Sequence, residues 1–168
     1  MTHPEPTADL CDALGDTAVT CAVPLRHFGA RRLFAGPVAM VRCLGDNVHL
    51  RAALSQPGHG RVLVVDGGGF LGCALLGDNM AELGASSGWT GIVVNGAVRD
   101  AERLRGTDLG VMALGTHPGR SAKEGTGSTG EPVTFGDATF RNGDLVYADL
   151  DGVVVLPPGA RTGSAPTG

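Results

Sequence analysis

The sequence predicts an α/β fold whose central sheet is mixed, with a parallel segment followed by antiparallel strands. Between residues 36 and 114, short apolar runs alternate with glycine-containing turns and helix-like stretches, which is typical of parallel strands joined by helices. After residue 131 the strands come closer together, and the turns Gly136-Asp137 and Asn142-Gly143-Asp144 favour antiparallel connections. Aromatic residues make up only 4% of the 168 residues, so Val, Leu, Ala and Ile must build the core.

The first part of the chain is predicted to alternate helices and strands. Residues 61–66 and 91–95 are continuous apolar runs, which suit strands buried on both faces. Asp46 is placed to cap the helix that follows it, and Gly58 to end that segment. In chain order we predict a helix at 9–15, a strand at 36–44, a helix at 47–54, a strand at 61–66, a helix at 79–88, a strand at 91–95, a helix at 99–104 and a strand at 110–114.

The second part is predicted to hold a long loop and the antiparallel strands. Residues 117–131 are rich in Gly, Ser and Thr and are predicted to form the loop. The strands are expected at 133–135, 138–140 and 145–156. We therefore predict a flexible N-terminus at 1–7, one domain at 8–156 and a disordered tail at 157–168.

Composition excludes several classes of function. The net charge of -4 and the near absence of lysine argue against binding nucleic acid through its phosphates. No signal peptide and no apolar run of membrane-spanning length is evident, so a cytoplasmic location without membrane contact is expected. The four cysteines, which have neither C-x-x-C nor zinc-ligand spacing, are expected to be reduced; they are Cys11, Cys21, Cys43 and Cys73.

The run from Gly67 to Gly72 matches the pattern G-x-G-x-x-G directly after a predicted strand. Such glycines can bring a backbone against a pyrophosphate, but a glycine-rich chain produces the pattern by chance. The next strand ends at Val94-Asn95-Gly96, without the acidic residue that would hold a ribose. A tight turn is therefore favoured over a dinucleotide site.

Two polar segments are expected to meet at one edge of the sheet. Gly77-Asp78-Asn79-Met80 stands at a predicted helix N-terminus, where free backbone N–H groups suit a carboxylate. Arg99 can hold a carboxylate or enolate with two N–H donors, and Asp100 is a hard oxygen ligand for Mg²⁺ or Mn²⁺. These parts match a site for a 2-oxo acid chelated by a metal. An ordinary helix cap at Asp78 and a solvated helix start at Arg99 remain the alternatives, and spacing alone does not decide.

Longer stretches of the sequence resemble a known family. They run in order through residues 8–156 and are Phe28-Gly29-Ala30-Arg31, Phe34-Ala35-Gly36-Pro37, Val64-Val65-Asp66-Gly67-Gly68-Gly69, Leu75-Leu76-Gly77-Asp78-Asn79-Met80-Ala81, Gly88-Trp89-Thr90-Gly91-Ile92-Val93-Val94-Asn95-Gly96-Ala97-Val98-Arg99-Asp100 and Gly143-Asp144-Leu145-Val146-Tyr147-Ala148-Asp149-Leu150-Asp151-Gly152-Val153. These stretches are similar to the regulator of ribonuclease activity A family, which includes the class II 4-hydroxy-4-methyl-2-oxoglutarate aldolases.

The resemblance implies a swivelling β/β/α fold and a ring-shaped homotrimer with active sites between neighbouring subunits. It implies that Gly77-Asp78-Asn79-Met80 and Arg99 bind substrate, that Arg99 and Asp78 are catalytic, and that Asp100 supports the divalent metal. The implied reaction is cleavage of 4-hydroxy-4-methyl-2-oxoglutarate to two pyruvates, with decarboxylation of oxaloacetate as a related activity. Both reactions leave a pyruvate enolate, whose negative charge a metal ion and Arg99 would stabilise.

Two departures from the family bear on this expectation. Members that act purely as inhibitors of ribonuclease E tend to lack the acidic residue after the arginine, so Asp100 favours an enzyme. The longer aldolases carry a C-terminal extension that helps to complete a neighbour's site, where this chain has residues 157–168, so decarboxylation is expected more firmly than aldol cleavage. The alternative is a non-catalytic inhibitor of ribonuclease E, since an acidic surface could compete for basic RNA-binding segments. Menaquinone methyltransferase is an older label in this family. The sequence does not support it, because no cofactor loop with an acidic partner is evident.

Other acidic and histidine residues receive no role in this hypothesis. Asp149 and Asp151 form D-x-D-G, for which a turn between strand segments is favoured over a metal site. Asp12 is acidic but its position relative to the site is open. The histidines have no ligand spacing; they are His3, His27, His49, His59 and His117.

Overall fold

The computed structural model describes residues 2–160, which form helices and short strands around one large sheet. The helices are α1 (Thr7–Leu14), α2 (Val48–Leu54), α3 (Asp78–Ser86) and α4 (Ala101–Leu104), and a 3-10 turn spans Gly15–Thr17. The strands are β1 (Val19–Thr20), β2 (Arg26–His27), β3 (Phe34–Arg42), β4 (Val62–Asp66), β5 (Ala74–Leu76), β6 (Gly91–Val98), β7 (Gly110–Thr116), β8 (Ser128–Thr129), β9 (Val133–Phe135), β10 (Ala138–Phe140), β11 (Leu145–Ala148) and β12 (Val153–Leu156).

The main sheet is mixed, which confirms the predicted fold class. Within residues 2–160 it has ten strands, and its path runs β1-β12-β11-β3-β4-β6-β7-β2, with β5 added to β6 and β8 to β3. The centre, β3-β4-β6-β7, is parallel, while β11, β12 and β1 continue it on one side as antiparallel strands. β9 and β10 form a separate antiparallel hairpin.

Apolar side chains cover both faces of the parallel centre, as the continuous apolar runs predicted. One face packs under α2 and α3, where Leu50, Leu54 and Ile92 are completely buried. The other face packs under the β9–β10 hairpin, where Phe135 and Phe140 stack with ring centroids 4.9 Å apart. Each fully buried side chain of this size stabilises the fold by about 1.5–3 kcal/mol relative to exposure.

Strand β6 is the element that positions the polar segments. All eight of its residues are buried, and its register against β7 shifts between Val94 and Ala97. Beyond that irregularity β6 pairs with β5, and the Arg99 N–H donates to the Leu76 carbonyl at 2.9 Å. The segment that begins at Gly77 therefore lies beside the end of β6.

The predicted helix at 99–104 is wrong at its start. β6 continues to Val98, and Asp100 adopts a left-handed backbone conformation with φ 58° and ψ 39°, so α4 begins only at Ala101. The predicted strand at 145–156 is likewise two strands, because residues 149–152 form a turn closed by the Asp149 N–H and the Gly152 carbonyl. Strand β8 interrupts the predicted loop at 117–131.

The ends of the chain add three observations. Thr7 is buried at the start of α1, so regular structure begins within the segment predicted to be flexible. Residues 157–160 close a turn through the Ala160 N–H and the Pro157 carbonyl, and residues 161–168 of the predicted tail lie outside the described residues. None of the helices in residues 2–160 has the length and apolar character needed to cross a membrane.

Candidate functional site

A cleft of about 470 Å³ lies between α2, the N-terminus of α3, the end of β6 and the loop after β7. Its lining includes all six site residues predicted from the sequence: Gly77, Asp78, Asn79, Met80, Arg99 and Asp100. The two segments meet as expected. A strand that the sequence did not predict, β5, leads directly into Gly77.

Arg99 and Asp100 stand together at the mouth of this cleft. The Arg99 Nε lies 4.0 Å from the Asp100 Oδ2, and the Arg99 Nη1 donates to the Pro118 carbonyl at 3.5 Å. The Arg99 side chain is 41% exposed and the Asp100 side chain 34% exposed, so both are accessible to a ligand. A non-glycine residue in the left-handed region carries strain of about 1–3 kcal/mol, and such strain concentrates at functional sites.

The Asp100 carboxylate also joins the two segments. Its Oδ2 accepts a hydrogen bond from the Asp78 N–H at 3.3 Å, which satisfies one free donor at the start of α3. Gly77 makes room for this contact, because a Cβ at residue 77 would lie 2.8 Å from the Asp100 Oδ2 and 3.4 Å from the Arg99 Nε. The backbone at Gly77 is extended, a conformation that any residue can adopt. Glycine is therefore needed here because it has no side chain, and not because of its backbone conformation.

Asp78 is held as a carboxylate. The Arg103 guanidinium, 2.9 Å away, lowers the pKa of Asp78 below its usual value; burial opposes this, and the Asn79 N–H adds to it. Only 15% of the Asp78 side chain is exposed, whereas 77% of the Arg103 side chain is. Asp78 is thus ionised at neutral pH and can accept a proton more readily than it can donate one.

The cleft also contains residues that the sequence reasoning missed. Its other cationic side chains are Arg51 of α2 and Arg120 and Lys123 of the loop after β7, and Asn47 lines it beside them. Arg51 shares one face of α2 with Val48, three residues before it, and Ser55 lines the cleft just after the helix. Lys123 is the single lysine of the sequence, a signal that could have drawn attention to its loop.

Buried Asp46 holds this loop against the rest of the cleft. Its carboxylate accepts hydrogen bonds from the N–H groups of Val48, Glu124 and Gly125. These hydrogen bonds, that of the Val48 N–H first, hold the pKa of Asp46 below its usual value. Burial acts in the opposite direction but does not outweigh them. The N-cap position of α2 is Asn47 and not Asp46, but the Asp46 carboxylate still bonds the first N–H of the helix, that of Val48. The same carboxylate fixes the backbone next to Lys123.

The glycine-rich turn is closed by bonds within the protein. The N–H groups of Gly67 and Gly69 both donate to the Asn95 carbonyl at 3.1 Å, and the Gly68 N–H donates to the Asp66 Oδ1 at 2.9 Å. These donors are therefore not free to cradle a phosphate, which agrees with the interpretation of residues 67–72 as a tight turn.

Asp149 serves the structure of the N-terminus. Its carboxylate accepts hydrogen bonds from the Thr7 N–H and the Thr7 hydroxyl, both at 2.7 Å, and from the Asp151 N–H at 2.9 Å. The turn interpretation of Asp149 and Asp151 is thereby supported. Asp12 does not belong to the residues that line the cleft, and no group of three or more His, Cys, Asp or Glu placed to hold a metal occurs in residues 2–160.

Comparison with known proteins extends the sequence resemblance. A family model described as RraA-like, Aldolase/RraA, matches residues 7–155. A solved structure from Geobacillus kaustophilus HTA426, named S-adenosylmethionine: 2-dimethylmenaquinone methyltransferase, is similar with a TM-score of 0.91 at 42% sequence identity, over 95% of this chain and 100% of that one.

Two further solved structures carry a different name. The RNA-processing inhibitor RraA from Thermus thermophilis has a TM-score of 0.88 at 39% identity, over 96% of this chain and 98% of that one. Streptomyces coelicolor RraAS2, described as an unusual member of the RNase ES inhibitor RraA protein family, has a TM-score of 0.75 at 30% identity, over 91% of this chain and 81% of that one. The resemblance and the fold class predicted from the sequence are confirmed.

Proposed function

Because the chain belongs to the RraA-like (Aldolase/RraA) family, which includes both aldolase or decarboxylase enzymes and ribonuclease E inhibitors, we propose that it is a divalent-metal-dependent lyase. It would cleave 4-hydroxy-4-methyl-2-oxoglutarate to two pyruvates, decarboxylate oxaloacetate to pyruvate, or do both. The observation that carries this proposal is the convergence of Arg99, Asp100 and Asp78 in one cleft at the N-terminus of α3.

Arg99 and the start of α3 would bind the 2-oxo acid. The Arg99 guanidinium has several N–H donors, of which one is used weakly by the Pro118 carbonyl, so a carboxylate or enolate oxygen can be held by the others. The positive end of the α3 dipole at Gly77-Asp78-Asn79-Met80 adds attraction for a negative ligand. Both interactions strengthen as negative charge develops on the enolate.

Asp100 fits the role of metal ligand. Its Oδ2 contacts the Asp78 N–H, while no hydrogen bond within residues 2–160 occupies its Oδ1. Mg²⁺ is commonly held by one or two carboxylates and keeps several waters, so a single protein carboxylate with the oxygens of a 2-oxo acid satisfies its preference. Mg²⁺ or Mn²⁺ bound there would supply Lewis-acid stabilisation of the enolate oxygen.

Asp78 is the carboxylate of the cleft to which we assign the role of proton acceptor. Its ionised state is secured by Arg103, and it sits beside the Asp100 carboxylate at the start of α3. In aldol cleavage the substrate hydroxyl must lose its proton, and a water between that hydroxyl and Asp78 can carry it.

The assembly is proposed to be a homotrimer with active sites between subunits. The basis is the family, together with large apolar side chains exposed on the single chain, which include Leu44, Phe70 and Leu71. Exposed residues of this kind are typical of surfaces that a further subunit covers.

Pyruvate release tests the lyase proposal. Purified protein is mixed with Mg²⁺ and either oxaloacetate or 4-hydroxy-4-methyl-2-oxoglutarate, and pyruvate is measured; EDTA should abolish its formation and added Mg²⁺ or Mn²⁺ should restore it. Asp100→Asn is the matched variant, because asparagine tolerates the left-handed backbone while losing the charge. Wild-type turnover and metal dependence in that variant would show that Asp100 is not the metal ligand.

Inhibition of ribonuclease E is the second candidate function. It is favoured by the names of the proteins from Thermus thermophilis and Streptomyces coelicolor and by the net charge of -4, which suits contact with basic segments. Adding the protein to a ribonuclease E cleavage assay tests it. The methyltransferase name is not extended to this chain, because the N–H groups of Gly67, Gly68 and Gly69 in the glycine-rich turn already bond within the fold.

A further inference from the structure

Two Asn-Gly dipeptides occur in the chain, and the fold places them in opposite surroundings. Asn95-Gly96 lies inside β6, whereas Asn142-Gly143 lies in the turn between β10 and β11. In such a dipeptide the asparagine side-chain amide can react with the next backbone nitrogen, because glycine has no side chain to obstruct the approach. The two copies share this local chemistry, so any difference between them must come from the fold.

The turn copy is open to solvent and to the reaction. Asn142 and Gly143 are both exposed. Gly143 has a left-handed φ of 90°, and a Cβ built there would have the Pro158 Cγ as its nearest neighbour, at 3.6 Å. Within residues 2–160, neither the Asn142 side-chain amide nor the Gly143 N–H takes part in a hydrogen bond. Both reacting groups are therefore accessible to water and free to approach each other.

The residues on either side of this dipeptide are fixed. The Asp144 N–H donates to the Arg141 carbonyl at 3.1 Å, and the Arg141 N–H donates to the Asp144 Oδ2 at 2.8 Å. The Asp144 carbonyl accepts a hydrogen bond from the Val38 N–H of β3 at 2.9 Å. The turn thus connects the β9–β10 hairpin to the main sheet, and its central peptide is the part without internal bonds.

The strand copy is protected in each of these respects. Asn95 is only 6% exposed, and its Nδ2 donates to the Asp66 Oδ1 at 3.1 Å. Gly96 is buried, and a Cβ there would lie 3.3 Å from the Leu75 Cδ1. Pairing of β6 with β4 holds the Asn95 backbone extended. The side-chain amide and the next nitrogen therefore approach each other only when β6 opens, which is rare for a central strand.

We propose that Asn142 is a site of spontaneous deamidation, which converts it through a succinimide with Gly143 into aspartate and isoaspartate, while the fold protects Asn95. The turn is not part of the lining of the cleft. This modification is therefore independent of the proposed lyase function.

The reaction needs water and no other co-reactant. The Gly143 backbone nitrogen loses its proton and attacks the Asn142 Cγ, a new C–N bond forms, and the bond from Cγ to the amide nitrogen breaks. The amide nitrogen leaves as ammonia with that proton. Water then opens the succinimide at either carbonyl, which gives aspartate, or isoaspartate with the main chain running through the side-chain carbon. No atom changes its oxidation state.

Isoaspartate at residue 142 should weaken the attachment of the hairpin. It lengthens the backbone of the turn, so the two bonds between Arg141 and Asp144 no longer fit. It also adds a negative charge beside a surface depression that Asp16, Asp137 and Asp144 line together with Arg141. Repulsion between like charges adds to the loss of hydrogen bonds.

Peptide mapping of aged protein tests the proposal. Wild type is incubated folded at mildly alkaline pH and, in parallel, unfolded in urea. The peptides that contain residues 142 and 95 are then examined for replacement of NH₂ by OH, and isoaspartate is labelled with an isoaspartyl methyltransferase and S-adenosylmethionine. In the folded protein, Asn142 should react at least about ten-fold faster than Asn95, because β6 seldom opens. In urea the two rates should be similar.

Asn142→Gln is the matched variant. Glutamine keeps the amide on a longer side chain, which disfavours ring formation, and the backbone at residue 142 lies outside the left-handed region, so glutamine fits there. Aged wild type should melt about 2–4 °C lower than fresh protein, as a modest loss of stability does in a chain of this length, whereas Asn142→Gln should melt alike before and after ageing. Fresh Asn142→Asp, which has the charge without the longer backbone, should show a smaller decrease.

Three results would overturn the proposal or its consequence. If Asn142 in the folded protein reacts no faster than Asn95, the turn protects it and the site is refuted. Isoaspartate labelling that persists in Asn142→Gln would place the modification at another residue. Wild type that contains isoaspartate at residue 142 and still melts like fresh protein would show that the turn does not anchor the hairpin.

Discussion

Replacing Gly77 with alanine tests whether the placement of Asp100 sets turnover. The new Cβ would lie 2.8 Å from the Asp100 Oδ2, and ordinary contact begins at 3.4 Å, so the carboxylate must move by about 0.6 Å. The backbone at Gly77, with φ -127° and ψ -171°, is one that alanine adopts without strain. The substitution therefore acts on the side chain of Asp100 and not on the backbone.

The expected effects on turnover and stability differ in size. A misplacement of about 1 Å in a catalytic constellation can lower the rate by about 100-fold, so a shift of about 0.6 Å should lower kcat for pyruvate release by about ten-fold. Alanine is a poorer residue than glycine before a helix, and this change costs about 1 kcal/mol or less. The Tm should then fall by no more than about 2–4 °C for a chain of this length.

Gly106→Ala is the matched control for this experiment. A Cβ at residue 106 would have its nearest neighbour, the Arg103 carbonyl oxygen, at 3.6 Å, which is ordinary contact. Steady-state pyruvate release with saturating Mg²⁺ and a thermal melt are measured for both variants. A folded Gly77→Ala protein with wild-type kcat would refute the reasoning that Gly77 provides space for a functional Asp100.

Three further predictions concern other parts of the account. Asp149→Ala should lower the free energy of unfolding by about 1–3 kcal/mol, because the Thr7 N–H and hydroxyl lose their acceptor. Burial raises the pKa of Asp149, but the hydrogen bonds from Thr7 outweigh burial and lower that pKa below the ordinary 3.8. The stability difference between wild type and Asp149→Ala should therefore have its full size above pH 3.8 and shrink as the pH falls through the lowered pKa. Asp78→Asn should lower kcat for cleavage of 4-hydroxy-4-methyl-2-oxoglutarate by about 100-fold or more, because Asp78 is proposed to accept the hydroxyl proton. Because Arg103 keeps the pKa of Asp78 low, the wild-type pH–rate profile should show no ionisation of Asp78 near neutral pH. Light scattering should give about 51 kDa, three times the chain mass of 17.0 kDa, and a monomer at micromolar concentration would contradict the trimer.

The sequence predicts those parts of the fold that local patterns determine. Continuous apolar runs locate β4 and the first part of β6 closely, because these strands are buried on both faces. β5 has only three residues and exists through its pairing with the far end of β6, so no local pattern marks it. Asp100 delays the start of α4 to Ala101 by entering the left-handed region, and its carboxylate bonds the Asp78 N–H, a group distant in sequence.

The candidate site likewise has residues that the sequence predicts and residues that it does not. The pairing of Gly77–Met80 with Arg99 and Asp100 was predicted because both segments resemble a known family, the first at a predicted helix N-terminus and the second after a predicted strand. Arg51 and Lys123 carry no such signal, because a cation on an exposed helix face or in a glycine-rich loop is ordinary on any protein surface. Their place in the cleft depends on bonds from Asp46 to a loop 78 residues further along the chain.

Turnover of Arg99→Lys tests the central claim most directly. Lysine keeps the charge of Arg99 but lacks the planar fork that holds two oxygens in fixed geometry. The account predicts a variant that melts like wild type and loses about 10- to 1,000-fold in kcat/KM for pyruvate release, about 1.4 to 4 kcal/mol of transition-state stabilisation, with Arg99→Ala losing at least as much. A well-folded Arg99→Ala protein with unchanged kcat/KM would contradict the lyase and leave inhibition of ribonuclease E as the leading function.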